Sequence, residues 1–396
     1  VRIGERDTKH LASPRVLSSL ALRAQREFML RHVVIADPDS KRWLAYEREL
    51  RGFPLDVVLV PWRDVVRQRG CLDHLAAFDA PASVRLESYG RDFEIVKLLL
   101  QIGSDDADFA ALAPRKGWLV RPGLQERGFA QVLLGLKQSY GARPHLRPSA
   151  CPLAIREMFD KTATSRRLAS ANITTPAIIT PPETPDALLD ELRQRRWRTA
   201  YVKLNASAAA MGIVALHPLD PAPWGVSSMV RLDGEWHNTR RLQRLDGDEL
   251  RAALAFLLRE GCIVQQGVPL AQVEGHHFDL RVVMLFGEPA FTIFRLSTGP
   301  MTNLHLGGRR GDHDRCRAAV PTRHWLDAMD LCVEAARLHR SDMIGIDVAF
   351  DGVSLRPSLL ELNAFGDFFP GLVDEQGRSV HRRQIEALVQ QGDGLP

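Results

Sequence analysis

From Arg31 onward the hydrophobic positions follow two periods: short β-branched runs, and stretches whose apolar residues recur three and four apart. Val33-Val-Ile-Ala36 predicts a strand, Lys41 to Leu50 a helix, Asp56 to Pro61 a second strand and Trp62 to Arg69 a second helix. Ser83 to Gly90 predicts a third strand and its turn. Arg91 to Gln101 then predicts an amphipathic helix with Phe93, Val96, Leu99 and Leu100 on its apolar side. Strand and helix alternating in this way make a small Rossmann-like α/β unit, although the loop Ala36 to Ser40 lacks the G-x-G-x-x-G of a dinucleotide site. Prolines recur through Ala142 to Pro152, the strongest break in composition, and place a boundary between 148 and 149. Residues 1–31 carry no regular pattern and are expected to form a tail.

Beyond the boundary, Ile155 to Ala169 predicts a helix, with Asp160 capping its second part and Lys161 at that start. The strand Tyr201 to Leu204, the small-residue run Asn205 to Gly212 and the strand Ile213 to Leu216 come next. After a turn at Asp233-Gly234, a helix is expected from Asp248 to Glu260, and a strand segment from Cys262 to Leu270. Phe278 to Phe286 and Glu288 to Leu296 alternate as paired strands around Gly287. A long helix, Arg323 to Arg340, is expected to bury Leu326, Met329, Val333, Ala336 and Leu338. Last come Gly345 to Phe350 and Leu359 to Phe365, two strands around an Asp351-Gly352 reversal.

With 396 residues, 45% hydrophobic and 25% charged, the composition is that of a globular chain of two or three domains. The net charge is +4 with no long Lys/Arg block, so no nucleic-acid partner is expected. Five cysteines without a C-x-x-C argue against a disulfide framework or a zinc knuckle and favour a reducing cytoplasm. No apolar run reaches the roughly 18 residues of a membrane span, so no membrane partner is expected.

The candidate chemistry lies in the strands. Asp347 interrupts an apolar run, and Glu361 and Asn363, two apart, share one face of the returning strand. Two carboxylates and an amide oxygen suit a hard cation such as Mg²⁺; a hairpin whose polar residues meet water is the alternative. Lys203 beside small residues can meet phosphate oxygens, or can be a surface lysine on a hairpin. Arg281 and Arg295 sit in apolar strands, where a guanidinium needs either an anion or an ion-pair partner. Arg85 poses the same choice, with an ion pair the commoner outcome. His276-His277 point apart on an extended chain and are expected on a surface loop. No Ser-His-Asp or Cys-His pair is evident.

Taken together, this order of parts resembles the ATP-grasp superfamily, in the neighbourhood of glutathione-synthase-like and RimK-like ligases. The resemblance spans about Phe159 to Leu372. It rests on Phe159-Asp-Lys161 with the helix to Thr175-Pro176, Tyr201-Val-Lys203, Val264-Gln-Gln-Gly-Val268, Asp279-Leu-Arg281, Arg295, Asn303, Asp347 and Glu361-Leu-Asn363. It implies an α/β (α+β) ATP-grasp fold with a Rossmann-like pre-ATP-grasp domain at 32–148, a central lid subdomain at 149–262 and a C-terminal subdomain with a Mg site at 263–396. By the same resemblance, Lys161, Lys203, Ser207 and Gly212 would hold ATP phosphates. Gln265, Gln266 and Val268 would receive the adenine, Arg281 and Arg295 would face the transferring phosphoryl group, and Asn303 would orient it. Asp347, Glu361 and Asn363 would hold Mg²⁺, or Mn²⁺.

The implied activity is ADP-forming condensation of an amino-acid or peptide carboxylate with an amine through an acyl phosphate, in a chain whose relatives are often homodimers. An ATP-grasp phosphotransferase and a silent nucleotide-binding scaffold are the alternatives. Two departures favour the scaffold: Ala206 to Ala210 is alanine-rich where relatives are glycine-rich, and Gln265-Gln266 stand where a glutamate is common.

Overall fold

The computed structural model describes residues 29–90, 92–104, 109–207 and 210–392. The expected tail lies outside the described residues as far as residue 28, and Leu30 and Arg31 already belong to the first strand. Strands β1 (Leu30–Ala36), β2 (Leu55–Pro61), β3 (Ala82–Leu86) and β4 (Leu146–Pro148) form a parallel sheet in the order β2-β1-β3-β4. Val33 and Ile35 enter one core with Leu99, Phe129 and Leu133, while Val34 and Ala36 enter another with Trp43, Tyr46 and Leu50. Both faces of a parallel sheet are covered, which is why β1 reads as an unbroken apolar run.

One layer on this sheet was not predicted: the 20-residue helix Pro122–Gly141. Its glycines obscure the helical period, yet they are what let it pack. A Cβ at Gly128 would stand 2.0 Å from the Leu99 carbonyl, and one at Gly103, on the neighbouring helix Phe93–Gly103, 2.0 Å from that of Leu124. Close backbone approach of the two helices requires glycine at both positions.

The second sheet is antiparallel: β5 (Ile178–Ile179), β6 (Ala200–Leu204), β7 (Ile213–His217), β8 (Trp224–Leu232), β9 (Glu235–Asp246) and β10 (Cys262–Gln266), in the order β5-β10-β6-β7-β8-β9. Helices Pro185–Gln194 and Gly247–Glu260 pack on it through Leu188, Leu192, Leu254 and Leu257. Because β10 lies inside this sheet, the change of sheet comes after Gln266 rather than at 262/263. The strand expected to run to Leu270 stops there too, with the Gln266 and Gly267 N–H groups donating to the Ala177 and Thr199 carbonyls.

The third sheet comprises β11 (Gln272–Val273), β12 (His276–Leu285), β13 (Glu288–Ser297), β14 (Arg309–Arg310), β15 (Met343–Phe350) and β16 (Pro357–Asn363), in the order β14-β13-β12-β15-β16 with β11 on β12. His276 and His277 open β12 instead of lying on a loop. The long helix runs Thr322–Arg337 and buries Ala328, Cys332, Ala335 and Ala336. Leu326, assigned above to its buried side, is 56% exposed. A stripe of small side chains lets this helix lie close on the sheet, with Met329, Val333 and Leu338 packing at its flanks. The helix predicted as Ile155 to Ala169 is two, Pro152–Phe159 and Lys161–Ser170. Asp160 has left helical backbone between them, and its carboxylate accepts from the Ala163 N–H at 2.8 Å. Among the described residues no helix is long and apolar enough to cross a membrane.

The closing helix, Val380–Gly392, follows the third sheet in sequence but packs on helix Lys41–Leu50, and its Ile385 joins the core of Val34, Trp43 and Tyr46. A buried charge cluster secures this seam. Glu87, fully buried after β3, accepts from Arg42 Nε at 2.7 Å and Arg85 Nε at 2.8 Å, while Arg85 Nη1 donates to Gln384 Oε1 at 2.9 Å. Arg85 is therefore ion-paired. Burial opposes ionisation of Glu87, but Arg42 and Arg85 outweigh it and hold the carboxyl below the usual carboxylate range. A depressed carboxylate contributes stability at neutral pH that is lost as pH falls below its unfolded value of about 4.3. Glu87→Gln should thus cost about 3–5 kcal/mol in urea unfolding at neutral pH. The gap to wild type should narrow only in acid, below about pH 4.

Candidate nucleotide and metal site

Alternation along β6 separates its two faces. Val202 turns into the core beneath the helices, so Tyr201 and Lys203 turn to the opposite side, where a cavity of about 120 Å³ lies between the second and third sheets. Of the expected site residues, Lys161, Lys203, Ser207, Gln265, Gln266, Val268, Arg295, Asn303, Asp347 and Glu361 line it; Gly212, Arg281 and Asn363 do not. Lys203 Nζ donates to Gln265 Oε1 of β10 at 2.9 Å. Burial lowers the Lys203 pKa, with Glu361 the foremost opposing charge.

Lys161 opens its helix and donates to the Ser207 carbonyl at 2.7 Å. Asn205 fastens the same loop: its Oδ1 accepts from the Thr162 N–H at 3.0 Å and from Thr162 Oγ1 at 2.9 Å, and its Nδ2 donates to Asp160 at 2.9 Å. Gly212, at φ +61°, ends the loop, and its N–H donates to Asn238 Oδ1 at 3.1 Å. Within the alanine-rich run, Ala208 and Ala209 lie outside the described residues.

The opposite wall is the β15/β16 hairpin. Asp347 pairs with Glu361 and Gly345 with Asn363, which puts the two acids and the amide on one face. Just beyond Asp347 and Glu361, where Val348 pairs with Leu359, the register skips Leu360, a bulge whose carbonyl accepts from Gln265 Nε2 at 3.3 Å and which lines the cavity. Asn363 Nδ2 stands 3.5 Å from the Gly345 carbonyl. Asn303 Oδ1 accepts from the His305 N–H at 2.8 Å and caps a short turn.

Beneath the hairpin runs a buried chain of alternating charge. Arg281 lies opposite Asp347 across β12 and β15, and Asp279 opposite Arg295 across β12 and β13. Arg281 Nη2 donates to Asp347 Oδ2 at 3.0 Å, Arg295 Nη2 lies 3.1 Å from the same oxygen, and Arg295 Nε donates to Asp279 Oδ1 at 2.8 Å. Thr302 Oγ1 donates to Asp279 Oδ2 at 2.6 Å, and Asp367 lies 3.7 Å from Arg281. Burial works against an ionised Asp347, but Arg281 and Arg295 outweigh it and hold its carboxyl below the usual carboxylate range. Both arginines have thus found carboxylates inside the protein, and only Arg295 also reaches the cavity.

Among the described residues no three His, Cys, Asp or Glu side chains group as a metal site. The hairpin instead offers an oxygen-only set of two carboxylates and an amide, which fits Mg²⁺ with further oxygens from phosphate and water. A half-buried lysine and apolar walls at Met211, Ile213 and Met301 fit a nucleotide. Sequence reasoning passed over Tyr201, whose hydroxyl donates to the Pro300 carbonyl at 2.6 Å, although its two-residue spacing from Lys203 was a usable signal. Met301 and Thr302 stand in a loop with no period, and Asp279 was seen only as part of a motif.

No protein-family model matches the sequence, and no curated protein matches it. Solved structures do. D-cycloserine synthetase DcsG is 13% identical with a TM-score of 0.53, over 91% of this chain and 99% of that one. Macrocyclase MdnC from Microcystis aeruginosa MRC, bound with precursor peptide MdnA, is 11% identical with a TM-score of 0.53, again over 91% and 99%. The ATP-grasp ligase PsnB, complexed with a phosphomimetic variant of its minimal precursor, Mg and ADP, is 17% identical with a TM-score of 0.50, over 92% and 99%. The chain has the ATP-grasp fold. At 91–92% of this chain, the likeness in fold takes in the parallel first sheet as well as the two antiparallel sheets that enclose the cavity.

Arg295→Met removes the guanidinium shared by Asp279 and Asp347 and leaves both carboxylates short of a partner. It should cost about 3–5 kcal/mol in denaturant unfolding. Arg295→Lys should recover only part of this, because an ammonium cannot reproduce the forked contact.

Proposed function

We propose that the protein is an ADP-forming, Mg²⁺-dependent carboxylate-amine ligase acting through an acyl phosphate on an amino acid or peptide. The observation that carries this reading is the half-buried Lys203 of the second sheet and Glu361 of the third facing one cavity. Lys161, Lys203 and Ser207 bind the nucleotide phosphates, and Gly212 shapes the loop that covers them. Gln265, Gln266 and Val268 border the adenine, with Met301 and Ile213 as its apolar walls. Asp347, Glu361 and Asn363 hold the metal. Bound Mg²⁺-ATP supplies the phosphoryl group and neutralises its charge.

The chain's own contribution is positioning. Arg281 holds Asp347 from behind, and Arg295 does the same while presenting its outer edge to the transferring group. Asn303 orients that group from the facing loop. The second sheet acts as the lid, and water is excluded between it and the third sheet, where these charges act most strongly. A peptide or amino-acid carboxylate is supported by the precursor peptides in the PsnB and MdnC structures and by the synthetase DcsG.

The test supplies Mg²⁺ and ATP with pools of amino acids, peptides and amines, and follows ADP release and product mass. ADP that depends on both a carboxylate and an amine, with the mass of a condensation product, is the expected result. A stable phosphorylated product would make the protein a phosphotransferase, and binding without ADP in any pool would make it a scaffold. Glu361→Gln should lower ADP formation by at least roughly 100-fold, about 3 kcal/mol in barrier, with the unfolding midpoint unchanged. Wild-type turnover in that variant would overturn the metal assignment.

A further inference from the structure

A second cavity, of about 200 Å³, lies at the seam secured by the Glu87 cluster. Three parts of the chain wall it: the first sheet through His32, Ser83 and Arg147, the closing helix through Gln384, and the corner before β15 through Asp342. Asp342 stands five residues before Asp347, roughly 16 Å along an extended strand, so this cavity is separate from the nucleotide cavity.

Its polar groups divide into two kinds. Most are already matched. His32 Nδ1 lies 2.8 Å from Ser83 Oγ and its Nε2 2.9 Å from the Tyr46 hydroxyl, and Gln384 accepts from Arg85. Burial, aided by Arg85, lowers the His32 pKa to about 3, so the ring is neutral and both nitrogens serve those hydroxyls. Asp342 and Arg147 differ. Neither side chain makes a hydrogen bond or ion pair with any described residue, and they do not pair with each other. Burial pushes Asp342 up to about 6, with Arg85 opposing, which leaves it ionised at neutral pH. A partly buried carboxylate without a donor is costly, and here a cation of suitable size would have a path to it.

An acid and a base on the walls of one small cavity, neither in a hydrogen bond or ion pair with the protein and the acid touched only by the longer-range charge of Arg85, are complementary to a molecule that carries both charges. We infer that this cavity binds a small zwitterion of the amino-acid class, its ammonium on Asp342 and its carboxylate on Arg147. The neutral His32-Ser83 wall is polar and uncharged, which suits a short hydroxyl side chain better than a second charge. Occupation would reinforce a joint that already exists, where the Asp342 N–H donates to the Ser149 carbonyl at 2.7 Å. The inference stands independently of the ligase reading, because none of its residues lines the nucleotide cavity.

The test is calorimetric titration of the full chain, without nucleotide, using L-serine as the probe. 3-Hydroxypropanoate, which is serine without the ammonium, and ethanolamine, which is serine without the carboxylate, are the controls. L-Serine should bind saturably and each control at least about 10-fold more weakly, the loss of one charge-assisted contact. Asp342→Asn and Arg147→Ala should each weaken L-serine at least about 10-fold and leave binding of an ATP analogue unchanged. Arg147 is exposed, so its variant tests the site even where the Asp342 variant folds poorly. Glu361→Gln should bind L-serine as wild type does. Absence of saturable heat, or full affinity in the Arg147 variant, overturns the inference. So does affinity lost in Glu361→Gln and kept in Asp342→Asn, which would put the amino acid in the nucleotide cavity.

Discussion

The buried chain Asp279, Arg295, Asp347, Arg281 sets the terms for the rest of the molecule. Four charges lie within three adjacent strands of the third sheet, nearly out of water, and no member could keep its charge there alone. Such a chain is satisfied in one strand register only. A slip by one residue between β12 and β15 would carry Asp347 to the other face, into the apolar layer of Phe278, Leu280 and Val348. The carboxylates and amide of the hairpin inherit their positions from that register. The floor of the cavity is therefore held electrostatically before any ligand arrives.

The wall above it is held differently. Lys161, Asn205 and Ser207 are fastened to one another through carbonyls and a side-chain amide, and Lys203 touches the other sheet through Gln265 and the Leu360 bulge. Two lysines tied to uncharged partners on one side thus meet an ionic network on the third sheet. This division suits a site in which one side holds its charges in fixed pairs and the other leaves its cations free to exchange uncharged partners for a ligand.

Much of this was legible in the sequence because the strands that build the cavity alternate cleanly, and a charge in an apolar run stands out. Asp347, Arg281 and Arg295 were found that way. What the run does not reveal is the partner: the Asp279–Arg295 contact spans 16 positions and the Arg281–Asp347 contact 66, and only strand pairing brings them together. Helix Pro122–Gly141 was missed because Gly128 weakens helical propensity at the point where the packing needs it. Leu326 is apolar yet faces out, because the helix meets the sheet through the small side chains of Ala328, Cys332 and Ala335. Loop residues such as Thr302 leave no periodic trace at all.

The return of helix Val380–Gly392 to the first sheet bears on how the protein is made. Val34, Trp43 and Tyr46 emerge early from the ribosome, but Ile385, which completes their core, follows only after both antiparallel sheets have been synthesised. Until then that face of the parallel sheet lacks its cover, and the Glu87 cluster lacks Gln384. Nascent chains with uncovered apolar faces are prone to association. A core begun well before the two antiparallel sheets is thus sealed only after them, and the interval between the two is a window in which a chaperone has a defined surface to hold.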